Sequence, residues 1–395
     1  MKQQQQQQRD AGASAPLLPE VVVQSDGVGI SEGASMYSAI FNVSTSMVGA
    51  GIMSIPATFK VLGIIPSFVV ILIVAFFVEV TVEFLLKYTR HTGELDSYGA
   101  LMAESFGKPG AVALQVCVLV TNLGAMIIYL IIIDSLRHAS AASILLAVLF
   151  VVLCSGMAIQ AMWEGKTQKA RLVPDFAHGM SFFDLFTTIP VIATAFGCHV
   201  NVHPIRAELG RPSQMSLAVR ISLVLCIAIY FAVGFFGYVL FGDSIMADML
   251  VNFDAVSDSV IGKLLNDTIR LSYAIHLMLV FPVMNFSLRA NVDELLFSKR
   301  PLLTTDSIRF LSLTCVLLAF TYVAAVAVPN IWYFFQFMGT TTVVCLMFIF
   351  PSSLILRDVH CISTCRDRIL AILVIVLAVG TSLIAISSNI YNYIG

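Results

Sequence analysis

The sequence predicts an all-α polytopic membrane protein, because of its composition and the length of its apolar runs. Of its 395 residues, 58% are hydrophobic and only 12% are charged, whereas about a quarter of a typical soluble domain is charged. The apolar runs are about 20 residues long, the length that a helix needs to cross a bilayer. A transmembrane barrel would instead show alternating segments of about ten residues. The lipid bilayer is therefore an expected partner, and a net charge of −2 gives no reason to expect a nucleic acid.

The chain divides into a polar tail and a membrane domain. Residues 1–34 contain a run of glutamines and no hydrophobic periodicity, so we predict a disordered tail there. Residues 35–395 form the predicted membrane domain. No charged segment followed by an apolar one marks a cleaved signal peptide. The first span is therefore expected to act as the signal anchor, with the N-terminus in the cytoplasm.

Ten spans are predicted from the apolar runs. They cover approximately residues 36–58, 64–86, 109–133, 140–163, 181–203, 218–241, 268–288, 308–328, 331–355 and 369–391. Two further stretches, 95–106 and 257–266, are amphipathic and are predicted to lie on the membrane or to pack under it.

The distribution of Lys and Arg conflicts with ten spans. Cytoplasmic loops collect these residues, yet ten spans with the tail inside place 9 of them inside and 12 outside. One more span between residues 133 and 140 would change the side of every later loop. The count then becomes 15 inside and 5 outside, with Arg137 and Arg270 left aside. We therefore predict an eleven-span ancestor, of which this chain lacks one helix at the short connection 134–140.

The first span contains a run of polar residues and weak helix formers, FNVSTSMVGAGIMSIP at residues 41–56. Gly in a helix costs about 1 kcal/mol relative to Ala, and Pro about 3 kcal/mol. In lipid the freed backbone groups are tolerated where they line a cavity or bind a ligand. Such an interruption can hold the carboxylate and ammonium groups of a small zwitterion. The alternative is a close-packing glycine face with a proline kink.

A second interruption is predicted in the fifth span, at residues 181–210, which contains Pro190, Gly197, His199 and Pro204. Paired interruptions in the two halves of a chain are the sequence pattern of an inverted-repeat transporter. The two segments therefore predict a transporter more strongly together than either does alone.

The two segments resemble the first and sixth helices of the amino acid/auxin permease superfamily. In TIPVIATAFGCHVNVHPIRAEL, the pattern of its sodium-coupled neutral amino acid transporter branch is held by Ile189, Pro190, Ala195, Phe196, Cys198, His199, Val202, Pro204, Ile205, Glu208 and Leu209. FQFMGTTTVVCLMFIFPSSLIL, at residues 335–356, is similar to the tenth helix. The resemblance covers about residues 35–392 and is closest to the plant vacuolar amino acid transporter group.

The resemblance implies a leucine-transporter-type inverted-repeat fold with discontinuous helices, which has eleven helices in the family and lacks the fourth here. It also implies amino acid transport by alternating access in a vacuolar or other endomembrane, or alternatively in the plasma membrane. Carried over residue by residue, the implied substrate-binding residues are Asn42, Ser44, Thr45, Gly49, Ala50, Gly51, Thr194, Ala195, Phe196 and His199. Backbone atoms near the glycines would hold the substrate's charged groups, and Phe196 would be part of a gate.

Sodium coupling is not expected. The family fold holds sodium with first-helix carbonyls and with hydroxyls on its eighth helix. Aligned on Arg270 and Pro282, this chain has Met278 and Val280 where sodium-coupled relatives have threonines. Neither side chain supplies the oxygen that a hard cation requires. Proton-coupled or facilitated movement is predicted instead, with the proton as the candidate coupling ion and no cofactor.

The proton-coupling candidates are His199, His276 and Glu79, because ionisable groups at membrane depth are costly and are usually functional. Each has a simpler alternative. The two histidines can be hydrogen-bonded packing residues. Glu79 shares a helix face with Glu83, which can form an interfacial ion pair with Lys87. His199 and His203 have the spacing of a metal pair, but no carboxylate accompanies them, so no metal is predicted.

Two other functions stay open at the level of the sequence, an amino-acid sensor and a truncated, non-transporting isoform. A sensor would be favoured by a long structured extension, which residues 1–34 do not provide. An enzyme is not predicted, because no nucleophile, base and metal groups converge. The sequence gives no basis for an oligomeric state.

Overall fold

The computed structural model describes residues 35–92, 97–134, 143–165, 167, 170–176, 181–253, 260–297, 306–327 and 330–394. The tail predicted at 1–34 lies outside the described residues. The helices are α1 (Met36–Met47), α2 (Ile55–Leu62), α3 (Ile64–Thr92), α4 (Tyr98–Asp134), α5 (Ser143–Trp163), α6 (Thr188–Ala195), α7 (His199–Glu208), α8 (Met215–Phe241), α9 (Met249–Asn252), α10 (Val260–Phe297), α11 (Ser307–Ala327), α12 (Ile331–Thr340), α13 (Thr342–Val344), α14 (Phe350–Arg357) and α15 (Cys365–Ile394).

The prediction of an all-α polytopic membrane protein is confirmed. Within the described residues, seven helical segments are long and apolar enough to cross a membrane, and the bent pair α1–α2 makes an eighth. The two remaining predicted spans, 140–163 and 268–288, coincide with α5 and with part of α10. Each apolar run that was predicted to span is therefore built from helices where the structure describes it, with interruptions in the first and fifth runs.

The two amphipathic stretches have different outcomes. The first is set off from the following span by Gly107, whose φ of +66° bends α4 just before Pro109. Only glycine adopts this backbone conformation without strain. The second, 257–266, is described from residue 260 onward, where it forms the first turns of α10 and continues into the following span. No Gly or Pro stands between residues 264 and 270 to end the helix.

The helices form two groups that share α5. In the first group, α1, α2 and α3 pack on α8. In the second, α4 and α5 pack on α10, and α11 packs on α4. α5 also contacts α8, while α6 packs between α2 and α12. The main core cluster contains residues of both groups, and its members include Phe59, Phe196, Tyr230 and Tyr273.

α4 runs from the side at which α3 ends. Near its start, the Tyr98 ring stacks on His203 at 6.1 Å, and His203 bonds in turn to Thr89 near the end of α3. α4 then reaches the centre of the protein, where a side chain on Gly49 would lie 3.1 Å from the Tyr129 hydroxyl.

α5 runs in the same direction as α4. Phe150 packs on Tyr273, which reaches the same central level. The segment after α5 then lies where α3 begins, because the carbonyl of Arg171 accepts the amide of Ile64 at 3.0 Å. Two successive parallel spans require a returning segment, and a returning helix needs about 20 residues. Only residues 135–142 separate α4 from α5.

The segment after α5 also caps α3. The amides of Ile64 and Ile65 donate to the carbonyls of Arg171 and Leu172 at 3.0 and 3.1 Å. The first amides of a helix have no partner within that helix, so this segment completes the start of α3. The Arg171 guanidinium donates to the Asp243 carboxylate at 2.5 Å and holds the cap against the end of α8.

On the opposite side of the protein, where α3 ends, Asp358 bonds to several neighbouring segments. Its buried carboxylate accepts hydrogen bonds from the Tyr88 hydroxyl at 3.1 Å, the Ile362 amide at 2.9 Å and the Arg368 guanidinium at 2.7 Å. Burial opposes ionisation, but Arg368 and the amides of Ser363 and Ile362 outweigh it and lower the pKa of Asp358 to about 2. One carboxylate thus joins α3 to the start of α15.

Candidate functional site

The first helix is interrupted at the predicted place. α1 ends at Met47, and Val48 (φ −74°, ψ 77°) and Gly49 (φ −125°, ψ −151°) leave the helical conformation. A single 3₁₀ turn, Ala50–Ser54, leads into α2. The two helical halves are bent by 53° relative to each other. The interruption predicted from the Gly and Pro residues is confirmed.

The second interruption lies between α6 and α7. α6 ends at Ala195, Phe196 has φ −89° and ψ 11°, and the helix resumes at His199. The amides of Phe196 and Gly197 are satisfied by tight turns, the second by a bond to the Thr194 carbonyl at 3.2 Å. This interruption was also predicted, and it too is confirmed.

The two interruptions, called the first break (residues 48–50) and the second break (residues 196–198), are brought together by the residues next to them, Gly51 and Ala195. A Cβ atom on Gly51 would stand 2.9 Å from both Cα and Cβ of Ala195. Real Cβ atoms do not approach other atoms so closely, so the contact requires glycine. The structure thus brings together two predicted site residues that are 144 positions apart in the sequence.

Tyrosine hydroxyls meet the main-chain carbonyls at both breaks. The Tyr230 hydroxyl lies 2.8 Å from the Met47 carbonyl and 2.6 Å from that of Ala195. The Tyr273 hydroxyl lies 2.5 Å from the Gly49 carbonyl. Sequence reasoning missed both tyrosines. The available signal was a tyrosine at mid-span, where its hydroxyl must find a buried partner, rather than at the interface where tyrosines usually lie.

The predicted hydroxyl residues differ in what they can offer a ligand. The hydroxyls of Thr45 and Thr194 donate to the carbonyls of Phe41 and Pro190, both at 2.8 Å, one turn back in their own helices. Ser44 is buried, and its Oγ has no hydrogen-bond partner among the described residues. Ser44 is therefore the one of the three with an unused hydroxyl.

Three other predicted site residues have separate positions. Asn42 lies on α1 and is half-buried, before the first break. The backbone of Ala50 opens the 3₁₀ turn, but its side chain lies outside what the structure describes. Phe196 is fully buried, and its ring meets Tyr230 edge-on at 4.9 Å. The predicted gate residue thus packs on one of the tyrosines at the breaks.

His199 faces α3 rather than the opposite break. Its Nε2 lies 2.9 Å from the Thr81 hydroxyl, which itself donates to the Phe77 carbonyl at 2.8 Å. We therefore assign the proton of this bond to His199 Nε2, which donates to Thr81. The buried Nδ1 has no partner among the described residues. His203 makes the equivalent bond to Thr89 at 2.9 Å, so the two imidazoles have separate partners.

Two proton-coupling candidates remain, Glu79 and His276. Glu79 lies away from the breaks, and the structure does not describe the side chain of His276. Glu79 forms an ion pair with Arg220 at 2.8 Å, with both side chains largely exposed. Glu83 pairs with Arg90, and Lys87 with Asp367. The side chain of His276, on α10, is not among the described residues.

Asp248 is a carboxyl beside the first break that sequence reasoning did not select. It follows Ala247, whose carbonyl accepts the Ser54 hydroxyl at 2.8 Å, and it accepts the Leu250 amide at 3.0 Å. Burial raises the pKa of Asp248 to about 6, although the Leu250 amide and the Arg270 charge act in the opposite direction. Its burial depends on tertiary packing, so the sequence alone gave no signal.

We expect Asp248→Asn to change the pH dependence of stability. Because the pKa is raised in the folded protein, the unfolded chain loses this proton first, and the carboxyl destabilises the fold as pH rises from about 4 to about 6. The wild-type Tm should fall more between about pH 5 and about pH 7 than the Tm of the variant. Thermal unfolding in detergent measures both, with the exposed Asp243→Asn as control. Equal falls in wild type and Asp248→Asn would contradict the prediction.

An open cleft of about 470 Å³ lies elsewhere, on the side at which α3 ends. It is lined by Glu83, Lys87, Arg90, His91 and Ile362. Within it, Glu83 forms an ion pair with Arg90, and Lys87 forms one with Asp367. The predicted site at the breaks is a packed region of the core and is distinct from this cleft.

Paired interruptions in membrane-spanning helices that meet each other are typical of a class of proteins, the membrane transporters. The chain belongs to the transmembrane amino acid transporter protein family, whose sequence profile matches residues 32–139 and 132–391. The amino acid/auxin permease assignment made from the sequence is thereby confirmed.

Several amino acid transporters of Arabidopsis thaliana are close relatives. AVT6C is 48% identical, over 95% of this chain and 97% of its own length. AVT6D is 47% identical, over 96% and 97%. AVT6A is 42% identical, over 96% and 93%.

The alignments also bear on the predicted missing helix. The alignment with AVT6C extends over 427 positions, more than the 395 residues of this chain. The relative therefore has residues without a counterpart here. The family profile matches in two parts that meet at residues 132–139. This junction coincides with the connection at which the distribution of Lys and Arg indicated a lost helix.

Proposed function

We propose that the protein is a secondary transporter that moves amino acids across a membrane by alternating access, coupled to protons or facilitative rather than coupled to sodium. The observation that carries the proposal is the contact of the two breaks at Gly51 and Ala195. Two short half-helices meet there, and their ends carry the partial charges that attract a carboxylate and an ammonium group. The family membership supports an amino acid as the ligand.

The side chains at the breaks favour an amino acid with a neutral side chain. Phe196, Tyr230 and Tyr273 are uncharged and buried, and Ser44 offers a free hydroxyl. An additional charge on the substrate would be buried without a partner from these residues, which is costly in a low dielectric. We therefore propose neutral zwitterions as the preferred substrates.

Uptake into reconstituted vesicles tests the proposal. The purified protein is given labelled neutral or acidic amino acids, with and without a pH gradient, in sodium or choline buffer. Neutral amino acids should enter faster than acidic ones, with no change when choline replaces sodium. Acceleration by the pH gradient would identify proton coupling, whereas gradient-independent uptake would identify facilitated movement. Uptake that requires sodium would contradict the proposal, as would no uptake under any condition.

A second candidate is a non-transporting product that lacks one helix. The parallel direction of α4 and α5 favours it, because residues 135–142 are too few for a returning helix. A matched comparison separates the candidates: this chain, and the same chain carrying the AVT6C segment that has no counterpart here. Equal uptake by both would support the transporter. Uptake by the extended chain alone would support the non-transporting product.

We propose a vacuolar or other endomembrane as the location, with the N-terminus in the cytoplasm. The resemblance of the sequence to the plant vacuolar amino acid transporter group and its similarity to AVT6C and AVT6D support this location. A fluorescent fusion, combined with protease protection of a tag on the tail, tests both parts. Plasma-membrane fluorescence or a protected tail would contradict them.

A further inference from the structure

The carbonyls at the two breaks need hydrogen-bond donors. Main-chain carbonyls that leave a helix within a membrane have no water to bind, and an unsatisfied one is costly. A bound metal cation, a substrate ammonium group or a side-chain donor can each satisfy them. At the breaks described above, the donors are the hydroxyls of Tyr230 and Tyr273.

Both tyrosines are held firmly in these positions. Tyr230 and Tyr273 are fully buried, and each ring packs on another aromatic ring. The Tyr230 ring meets Phe196 at 4.9 Å, and the Tyr273 ring meets Phe150 at 5.4 Å. The packing of the core therefore directs the hydroxyls at the carbonyls.

We propose that the hydroxyls of Tyr230 and Tyr273 take the place of a metal cation at the breaks, so that the site is complete without sodium. A cation satisfies several carbonyls at once. The Tyr230 hydroxyl does the same for Met47 and Ala195, since its one proton is within hydrogen-bond reach of both. The inference rests on the proposed function and deepens it, because it gives a structural reason for transport without sodium coupling.

The two hydroxyls have different roles because they come from different helix groups. Tyr230 is on α8, on which α1 packs, and it joins the first break to the second. Tyr273 is on α10, which packs on α4 and α5. Its bond to the Gly49 carbonyl therefore crosses from one helix group to the other. A substrate ammonium group seeks the same acceptor, and it releases this bond when it takes the tyrosine's place.

Thermal unfolding of the purified protein tests the inference without relying on transport. The Tm is measured in sodium chloride and in choline chloride at equal ionic strength, for the wild type and for Tyr273→Phe. Tyr238→Phe is the matched control. Tyr238 is also fully buried, but its hydroxyl accepts bonds from Arg171, away from the breaks.

The wild type should have the same Tm in both salts. Tyr273→Phe should unfold several degrees lower in choline and regain part of the loss in sodium, because the freed Gly49 carbonyl can then accept a cation. Tyr238→Phe should unfold lower in both salts equally. A wild-type Tm that rises with sodium would overturn the inference. So would a Tyr273→Phe variant that responds to sodium no more than Tyr238→Phe does.

The uptake assay supplies a second measurement. The ratio of uptake in sodium to uptake in choline should stay near unity for the wild type and rise several-fold for Tyr273→Phe. If the wild type transports nothing, the proposed function fails while the comparison of Tm values still decides the role of the hydroxyls. If transport is present and the Tm values show no sodium response in Tyr273→Phe, the inference fails alone.

Discussion

Replacing Gly51 by alanine is expected to reduce amino acid uptake to the background of empty vesicles. The added Cβ would stand 2.9 Å from the backbone and side chain of Ala195, so one of the two breaks must move. Overpacking of this kind costs about 1–3 kcal/mol in a well-packed core. The fold should survive that cost, but the relative position of the breaks should not. Uptake and Tm, measured on the same preparation, separate the two effects.

Gly156→Ala is the matched control for this prediction. Gly156 lies on α5 and is exposed, and a Cβ there would meet nothing within 4 Å. The control should transport as the wild type does and should be equally or slightly more stable, since alanine favours helix more than glycine does. Normal uptake by Gly51→Ala would show that transport does not depend on the contact between the breaks.

Replacing Asp358 by alanine is expected to cause the largest loss of stability. The substitution removes the acceptor of the Arg368 guanidinium, the Tyr88 hydroxyl and two backbone amides. Hydrogen bonds to a charged group contribute about 1.5–3 kcal/mol each, and they are not additive. We therefore expect the free energy of unfolding to fall by about 3 kcal/mol. Asp358 also has a φ of +44°, a conformation that alanine tolerates less well than Asp or Asn.

The control and the pH dependence make this second prediction specific. Asp243→Ala removes the partner of Arg171 from a pair whose carboxylate is mostly exposed, and it should cost at most about 1 kcal/mol. The pKa of Asp358 is lowered to about 2, so its contribution is complete above the unfolded-state pKa of about 3.9 and is lost as pH falls toward 2. A Tm difference between wild type and Asp358→Ala that persists at about pH 2 would contradict the role of the charge.

The positions of the breaks could be predicted from the sequence because their causes are local. Gly49, Gly51, Pro56, Pro190 and Gly197 each disfavour a continuous helix through their own backbone, so composition alone located both interruptions. The boundary at Gly107 was predictable for the same reason. The continuity of α10 through residues 266–268 has the opposite cause: polarity changes there, but no residue in the segment interrupts a helix.

The partners of the breaks could not be predicted, because their contacts join distant parts of the chain. Tyr230 and Tyr273 stand 183 and 224 positions from Met47 and Gly49, the residues whose carbonyls they bind. A single sequence contains no signal for such a pairing. The partner of His199 is likewise Thr81, 118 positions away. Residue type could nominate His199, but it could not show that one nitrogen is bonded to α3.

The cap on α3 bears on how the chain is made by the ribosome. The amides of Ile64 and Ile65 receive their final partners only after Arg171 and Leu172 have been synthesised, long after α3 itself. At about 5–20 residues per second, this delay lasts for several seconds. During that time the newly inserted hairpin of α2 and α3 has an incomplete end. If the sequence between α3 and Arg171 is shortened or is translated slowly, the start of α3 is therefore affected as well as the helices that follow.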